Sequence, residues 1–185
     1  MKRIAATLFG ISLEQLDVAK NNPATYPIYC GEYGRDYLET DFRQFLQRLG
    51  NDAIKPEFGD DVWDLSPYLP KCHCRLNFDS WLENAGENDF LFCQIRAEMK
   101  KIIFALLYVK TGKSIIKSIK QRHLALRQFA RLAYKNGCTL QQLFADGAYL
   151  SKVNDAYAGV SYSTALCIKA FLTDCFSLQQ QYPLL

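Results

Sequence analysis

The sequence lacks a long apolar segment and is poor in the residues typical of fibrous or low-complexity proteins. Its longest apolar run, Ile102–Val109, has eight residues, against the ~20 that a membrane-spanning helix needs. Six prolines and ten glycines in 185 residues exclude collagen-like and low-complexity classes. The basic start, Met1-Lys2-Arg3, is followed by too little apolar length for a secretory signal. We therefore expect a cytoplasmic protein without a membrane partner.

Histidine is scarce, which limits the chemistry that the chain can perform. The two histidines are His73 and His123, and no Ser-His-Asp, Cys-His or paired-carboxylate arrangement can be singled out. His123 lies at the edge of the apolar face of a predicted helix, which favours an interfacial side chain over a general base. We expect no catalysis by this chain as given.

Three short motifs resemble ligand sites but lack a required part. Thr111-Gly112-Lys113-Ser114 ends like a phosphate-binding loop, yet position 107, where that loop needs glycine, is leucine. Cys72-His73-Cys74 separates its ligands by one residue, whereas zinc sites use wider spacings and a second pair. Asp60, Asp61 and Asp64 lie in a turn-rich stretch and are read as solvated acids. We predict no metal and no cofactor, and we expect the seven cysteines to be reduced thiols.

Acidic residues are missing from one long stretch. Residues 99–145 carry ten Lys and Arg and no Asp or Glu, whereas residues 1–98 have a net charge of −6 and residues 146–185 of −1. The overall charge of +3 hides this asymmetry. A basic segment of this kind indicates a face that binds a polyanion.

The residues that are present predict a mainly α protein in two parts. Apolar residues make up 49% of the chain, enough for a folded core. Residues 1–87 are predicted to be loop-rich, with a short helix at 42–49 capped by Asp41; residues 50–80 are rich in turns and allow short strands. Residues 88–182 are predicted to be helical, with breaks near Gly112, Gly137 and 158–160. The expected helix caps are Asn88 or Asp89, Thr139, and Ser161 or Ser163, and a further helical piece is expected near 148–157.

The longest predicted helix, from about residue 113 to 134, has two distinct faces. At 100° per residue, six cations fall on one stripe about 80° wide, and the apolar residues Ile115, Ile119, Leu126, Phe129 and Ala133 lie opposite. Arg122 lies off the stripe and Leu124 within it. The six cations of the stripe are Lys113, Lys117, Lys120, Arg127, Arg131 and Lys135.

A charged stripe can also be an ordinary solvated face. Solvated faces normally mix the two signs, because like charges at i,i+4 destabilise a helix. Six cations on one face without a carboxylate lower the stability of the helix, and a bound polyanion would restore it by neutralising their charge. The stripe would rise roughly 33 Å, comparable with one turn of duplex DNA, so we favour nucleic acid.

The C-terminal part resembles a known DNA-binding domain. The segments Arg122–Arg131, Asn136–Phe144, Ser161–Ala165 and Ala170–Phe176 place Leu-x-x-Phe, a Gly-x-x-Leu turn and a final Ser/Thr-started helix in order. The order and spacing of these apolar positions and turns, over residues 90–182, is similar to that in the SAM-like core-binding domain of phage-integrase-type tyrosine recombinases.

The resemblance implies function as well as fold. In that family the core-binding and catalytic domains clamp the recombination-site duplex, so the implied partners are double-stranded DNA, other recombinase protomers and the catalytic domain. The His-x-x-Arg box of the family is not matched, because the third residue after His73 is Leu76 and the third residue after His123 is Leu126. We expect DNA binding without strand cleavage. The implied DNA contacts are the six stripe cations together with Ser161, Tyr162, Ser163, Thr164 and Lys169; for Ser161 and Ser163 a plain helix cap is an equal alternative.

Other functions stay open at this point. A helical protein–protein interaction module would expose an aromatic patch, an RNA-binding domain would interleave aromatics with the cations, and a small enzyme would hold a perturbed titratable group in a pocket. The acidic first 90 residues are also able to fold against the stripe and mask it.

Overall fold

The computed structural model describes six stretches of the chain, and within them the side chains of 34–38, 40–41, 108–109, 113–117, 145 and 176–181 are outside the description. The stretches are 34–49, 55–68, 73–82, 89–109, 113–145 and 157–181. They contain five α-helices and one two-stranded sheet, so the described protein is mainly α as predicted. The elements are α1 Gly34–Arg48, β1 Val62–Asp64, a 3-10 turn Ser66–Tyr68, β2 Arg75–Asn77, α2 Phe90–Val109, α3 Lys113–Lys135, α4 Leu140–Ala145 and α5 Tyr162–Gln181.

The two central helices begin and end where the sequence predicts. Asp89 caps α2, because its carboxylate accepts the Phe92 N–H at 3.0 Å. Helix α3 ends at Lys135, and Gly137 follows with a φ of 65°, a left-handed conformation that glycine adopts without steric cost.

The two C-terminal helices are also capped by predicted residues. Thr139 and Gln142 form a capping box at α4, in which the Gln142 N–H donates to the Thr139 hydroxyl at 3.2 Å and the Thr139 N–H donates to the Gln142 side chain at 2.8 Å. Ser161 caps α5 by accepting the Thr164 N–H at 3.2 Å. The helical piece predicted near 148–157 lies outside the described residues, apart from Tyr157.

Helix α1 departs from the prediction. We expected Asp41 to cap a helix over 42–49, but α1 already begins at Gly34, so Asp41 lies inside it. The expected part of α1 packs through Phe42, Phe45 and Leu46, which are buried. An internal aspartate is tolerated because this apolar face, rather than a local cap, stabilises the helix.

The short strands that the turn-rich region allowed form one antiparallel hairpin. Trp63 pairs with Leu76 in the register, and both side chains are fully buried because directly paired residues of neighbouring strands lie on the same face of the sheet. Two further backbone bonds, Leu65 N–H to Cys74 O and Phe78 N–H to Asp61 O, both 2.8 Å, extend the ladder.

One hydrophobic core joins the two predicted regions. The ring of Phe42 on α1 lies 4.4 Å from that of Trp63 in the hairpin and 5.1 Å from that of Phe104 on α2. At the other end of the core, the ring centres of Phe129 on α3 and Phe171 on α5 lie 5.8 Å apart. The hairpin and α1 therefore pack on the same core as the helices, with α3 between α2 and α5.

Candidate nucleic-acid interface

Helix α3 turns the predicted apolar face inward and three of the six predicted stripe cations outward. Ile119, Leu126, Phe129 and Ala133 have no exposed surface. On the opposite side Lys120, Arg131 and Lys135 are exposed and Arg127 is half-buried, whereas the side chains of Lys113 and Lys117 lie outside the described residues. The two-faced character predicted for this helix is confirmed for its described part.

We refer to Lys120, Arg131 and Lys135 as the cationic face. Among the residues that the structure describes, none of the three forms an ion pair with a carboxylate. From Lys120 to Lys135 the face spans about 22 Å along the helix axis. Leu124, the apolar residue expected within the stripe, is indeed exposed there.

Two arginines of the stripe donate to backbone carbonyls of the segment that follows β2. Arg131 Nε donates to the Trp81 carbonyl at 2.6 Å, and Arg127 Nη2 donates to the Ser80 carbonyl. Arg131 remains exposed, whereas Arg127 is half-buried and its buried Nε has no partner in the described part of the chain. Burial, and then the charge of Arg131, lower the pKa of Arg127. The two arginines thus have different environments.

The acids of the hairpin region neutralise cations of α2. Asp79 lies 2.6 Å from Arg96, and Asp61 lies 3.3 Å from Arg96 and 3.0 Å from Lys100. Burial acts to raise the pKa of Asp61, but the hydrogen bond and charge of Lys100 and the charge of Arg96 outweigh it, so this pKa lies below its ordinary value. Asp61 and Asp79 therefore bind cations of α2, whereas the stripe arginines of α3 bind carbonyls of the segment after β2.

Lys100 is the most deeply buried of these cations. Its ammonium donates to the Gly59 carbonyl at 2.8 Å and to Asp61 at 3.0 Å, and it lies 5.9 Å from the centre of the Phe78 ring. Burial lowers the pKa of Lys100 against the opposing effect of Asp61. These contacts fix the turn before β1 to α2, which is a structural task.

Arg122, which the helical wheel placed off the stripe, has a structural partner. Its Nε donates to the Asp174 carboxylate of α5 at 2.7 Å, and the two side chains are 14% and 8% exposed. The pair crosses the α3–α5 interface, so Arg122 is not part of the cationic face.

Four of the five predicted contacts around the start of α5 are exposed, and Thr164 is half-buried. Tyr162 is 80% exposed, and Ser161, Ser163 and Lys169 are also exposed. Ser161 acts as the helix cap, and its hydroxyl lies 3.0 Å from that of Thr164. The cap therefore accounts for Ser161, one of the two alternatives left open for it.

His123 is buried at the junction of α3 and β2, as predicted for an interfacial histidine. It is 5% exposed, its ring centre lies 5.0 Å from that of Phe78, and its buried Nε2 has no hydrogen-bond partner in the described part of the chain. Burial, and then the charge of Arg127, lower the pKa of His123 to about 4. The side chain is therefore neutral at pH 7 and contributes no charge to the interface.

The weak metal motif is only partly described. Cys72 lies outside the described residues, His73 is exposed and Cys74 is buried. Within the stretches that the structure covers, no group of three His, Cys, Asp or Glu side chains is arranged to hold a metal ion. The five cysteines in those stretches are free thiols. Of the incomplete phosphate loop, Thr111 and Gly112 are outside the description and Ser114 lies in the first turn of α3.

The carbonyls of Ser80 and Trp81 are the part of this surface that sequence reasoning missed. Every residue carries a backbone carbonyl, so no residue type signals that these two accept arginine hydrogen bonds. The Arg122–Asp174 pair was missed for a related reason, since 52 residues separate its members.

Comparisons with known proteins do not assign the chain to a family: no protein-family model, curated protein or solved structure matches it. None of the helices in the described stretches combines the length and the apolar character needed to cross a bilayer.

Proposed function

We propose that this chain binds duplex DNA through the cationic face of α3. The observation that carries the proposal is that Lys120, Arg131 and Lys135 point outward without a carboxylate partner in the described residues. Lysine and arginine neutralise phosphates and release the counterions condensed on DNA, which drives binding without regard to base sequence.

The position of the face favours a rigid contact surface. Helix α3 is held from behind by a fully buried apolar row and laterally by the Arg122–Asp174 pair to α5. Cations on a rigid helix lose less conformational freedom on binding than cations on a loop. A span of about 22 Å allows the face to follow phosphates across a groove.

The finer proposal is that the chain corresponds to the N-terminal part of a tyrosine recombinase. It is supported by the resemblance of residues 90–182 and by the order of the described helices, in which a long central helix, a short helix and a Ser-capped final helix follow one another. On this proposal, strand exchange is catalysed by another domain and this chain only holds the duplex.

Charge reversal on the cationic face tests DNA binding. A labelled 24-base-pair duplex of random sequence is titrated with the wild-type chain and with Lys120→Glu/Lys135→Glu at 50 mM salt, and fluorescence anisotropy is recorded. The matched control is Arg43→Glu/Lys55→Glu, which changes the net charge equally at two exposed cations outside α3. We expect at least a tenfold weaker affinity for the first variant than for the control.

Equal affinity of the two variants would contradict the proposal, because net charge alone would then account for binding. A second candidate function would take its place. Tyr162 and Leu166, which is 49% exposed, stand one helical turn apart on the outer side of α5, and such an exposed pair favours a protein partner.

A further inference from the structure

We infer that the backbone carbonyl of Trp81 holds the guanidinium of Arg131 in a preformed orientation, with its terminal nitrogens presented as a fork to a phosphate. The inference rests on the proposed DNA binding and assigns a special task to one residue of the cationic face. It begins from the 2.6 Å hydrogen bond between Arg131 Nε and the Trp81 carbonyl.

The acceptor of this bond is held in place by the core. Trp81 has no exposed surface, and its ring stacks on Phe92 of α2 with 4.8 Å between centroids and 16° between planes. The ring of Tyr134, on α3 itself, meets it edge-on at 6.1 Å. A carbonyl on such a residue moves little, so its hydrogen bond restricts the rotation of the arginine side chain.

The remaining donors of Arg131 are available to a ligand. A guanidinium has five N–H groups, and the Trp81 bond uses the one on Nε. The side chain is nevertheless exposed, and in the described residues its hydrogen bond is made by Nε, so we place the end that carries both Nη atoms toward solvent. Two adjacent Nη groups match two oxygens of a phosphate, and holding them in advance lowers the entropic cost of binding.

Arg127 provides a contrast one turn earlier. Its Nη2 is occupied by the Ser80 carbonyl, its Nε is buried, and the side chain is half-buried. The contact end of Arg127 therefore faces the protein, and its role is to tie the segment after β2 to α3. Of the two arginines, only Arg131 offers its terminal edge.

Lysine substitution separates orientation from charge. Arg131→Lys keeps the charge but lacks both the Nε bond and the fork. In the anisotropy titration we expect its affinity for the duplex to fall about tenfold. The slope of affinity against salt should stay unchanged, because the slope counts neutralised charges. The matched control, Arg43→Lys, makes the same exchange at an exposed arginine outside α3 and should stay within about twofold of wild type.

The outcomes distinguish this inference from the proposed function. Wild-type binding with unchanged affinity for Arg131→Lys would overturn the inference and leave DNA binding intact, whereas no wild-type binding at 50 mM salt would overturn both. A second measurement uses the free wild-type protein, so that misfolding of a variant cannot affect the result. By NMR, the Nε–H of Arg131 should exchange with water more slowly than the Nε–H of exposed Arg43. Equal exchange rates would contradict the carbonyl bond and the inference with it.

Discussion

Buried, neutral His123 makes the stability of the fold depend on pH between 7 and 5. Its pKa is about 4 in the folded chain and about 6.5 in an unfolded one. The unfolded state therefore binds the proton more readily, and folding stability falls as the pH decreases from 6.5 toward 4. Applied to these two values, linkage gives a loss of about 2 kcal/mol between pH 7 and pH 5, and about 3 kcal/mol once the pH is below 4.

Urea unfolding at pH 7, 6 and 5, followed by circular dichroism, measures this loss. The control is His123→Asn, which has no proton to gain, so only the change with pH is compared and not the absolute stability. We expect the wild-type chain to lose about 2 kcal/mol more than the variant between pH 7 and pH 5.

Other titrating groups do not imitate this result. The carboxyls whose pKa is lowered, Asp61, Asp64 and Asp89, lose their stabilising effect below about pH 5, at and beyond the acid end of the assay. Burial raises the pKa of Glu98, which acts in the opposite direction and is present in both proteins. Parallel losses in wild type and variant would refute the argument that His123 is buried without its proton.

Two further predictions concern contacts between helices. Asp174→Asn leaves Arg122 as an uncompensated buried charge and should lower the free energy of unfolding, measured by urea denaturation, by about 3 kcal/mol. The double variant Arg122→Met/Asp174→Leu should recover most of this loss. If it recovers none, the unpaired charge is not what destabilises Asp174→Asn. Glu98→Ala removes the acceptor of the Leu140 N–H, 2.7 Å away at the start of α4, and should lower the free energy of unfolding by about 1 kcal/mol. Glu98→Gln still accepts this hydrogen bond and should lower the stability less. Equal losses for the two variants would contradict a capping role for Glu98.

The sequence predicted the ends of the C-terminal helices well because the residues that begin and end those helices act within one turn of the chain. Asp89, Thr139 and Ser161 each accept a hydrogen bond within their own first turn, and Gly137 ends α3 by its own backbone conformation. The two faces of α3 followed from residue spacing alone, since a regular helix converts spacing into direction.

Contacts between distant segments were beyond the reach of the sequence. The start of α1 was misplaced because its apolar face packs on the hairpin and on α2, which no local pattern reveals. Arg127 and Arg131 have the same residue type and lie four positions apart, and only the fold sends one inward and leaves the other exposed. The proposed recombinase relationship depends on a cadence of apolar positions and stays a prediction.

The salt dependence of DNA binding by the wild-type chain tests the central claim most directly. Three phosphate contacts by Lys120, Arg131 and Lys135 give a slope of about −2.7 in log affinity against log salt, or a roughly 40-fold weaker affinity at 200 mM than at 50 mM. Each further contact, from Lys113 or Lys117, steepens the loss by about 3.5-fold. We predict a loss of about 40-fold or more; an affinity that barely changes with salt, or no binding at 50 mM, would contradict the account.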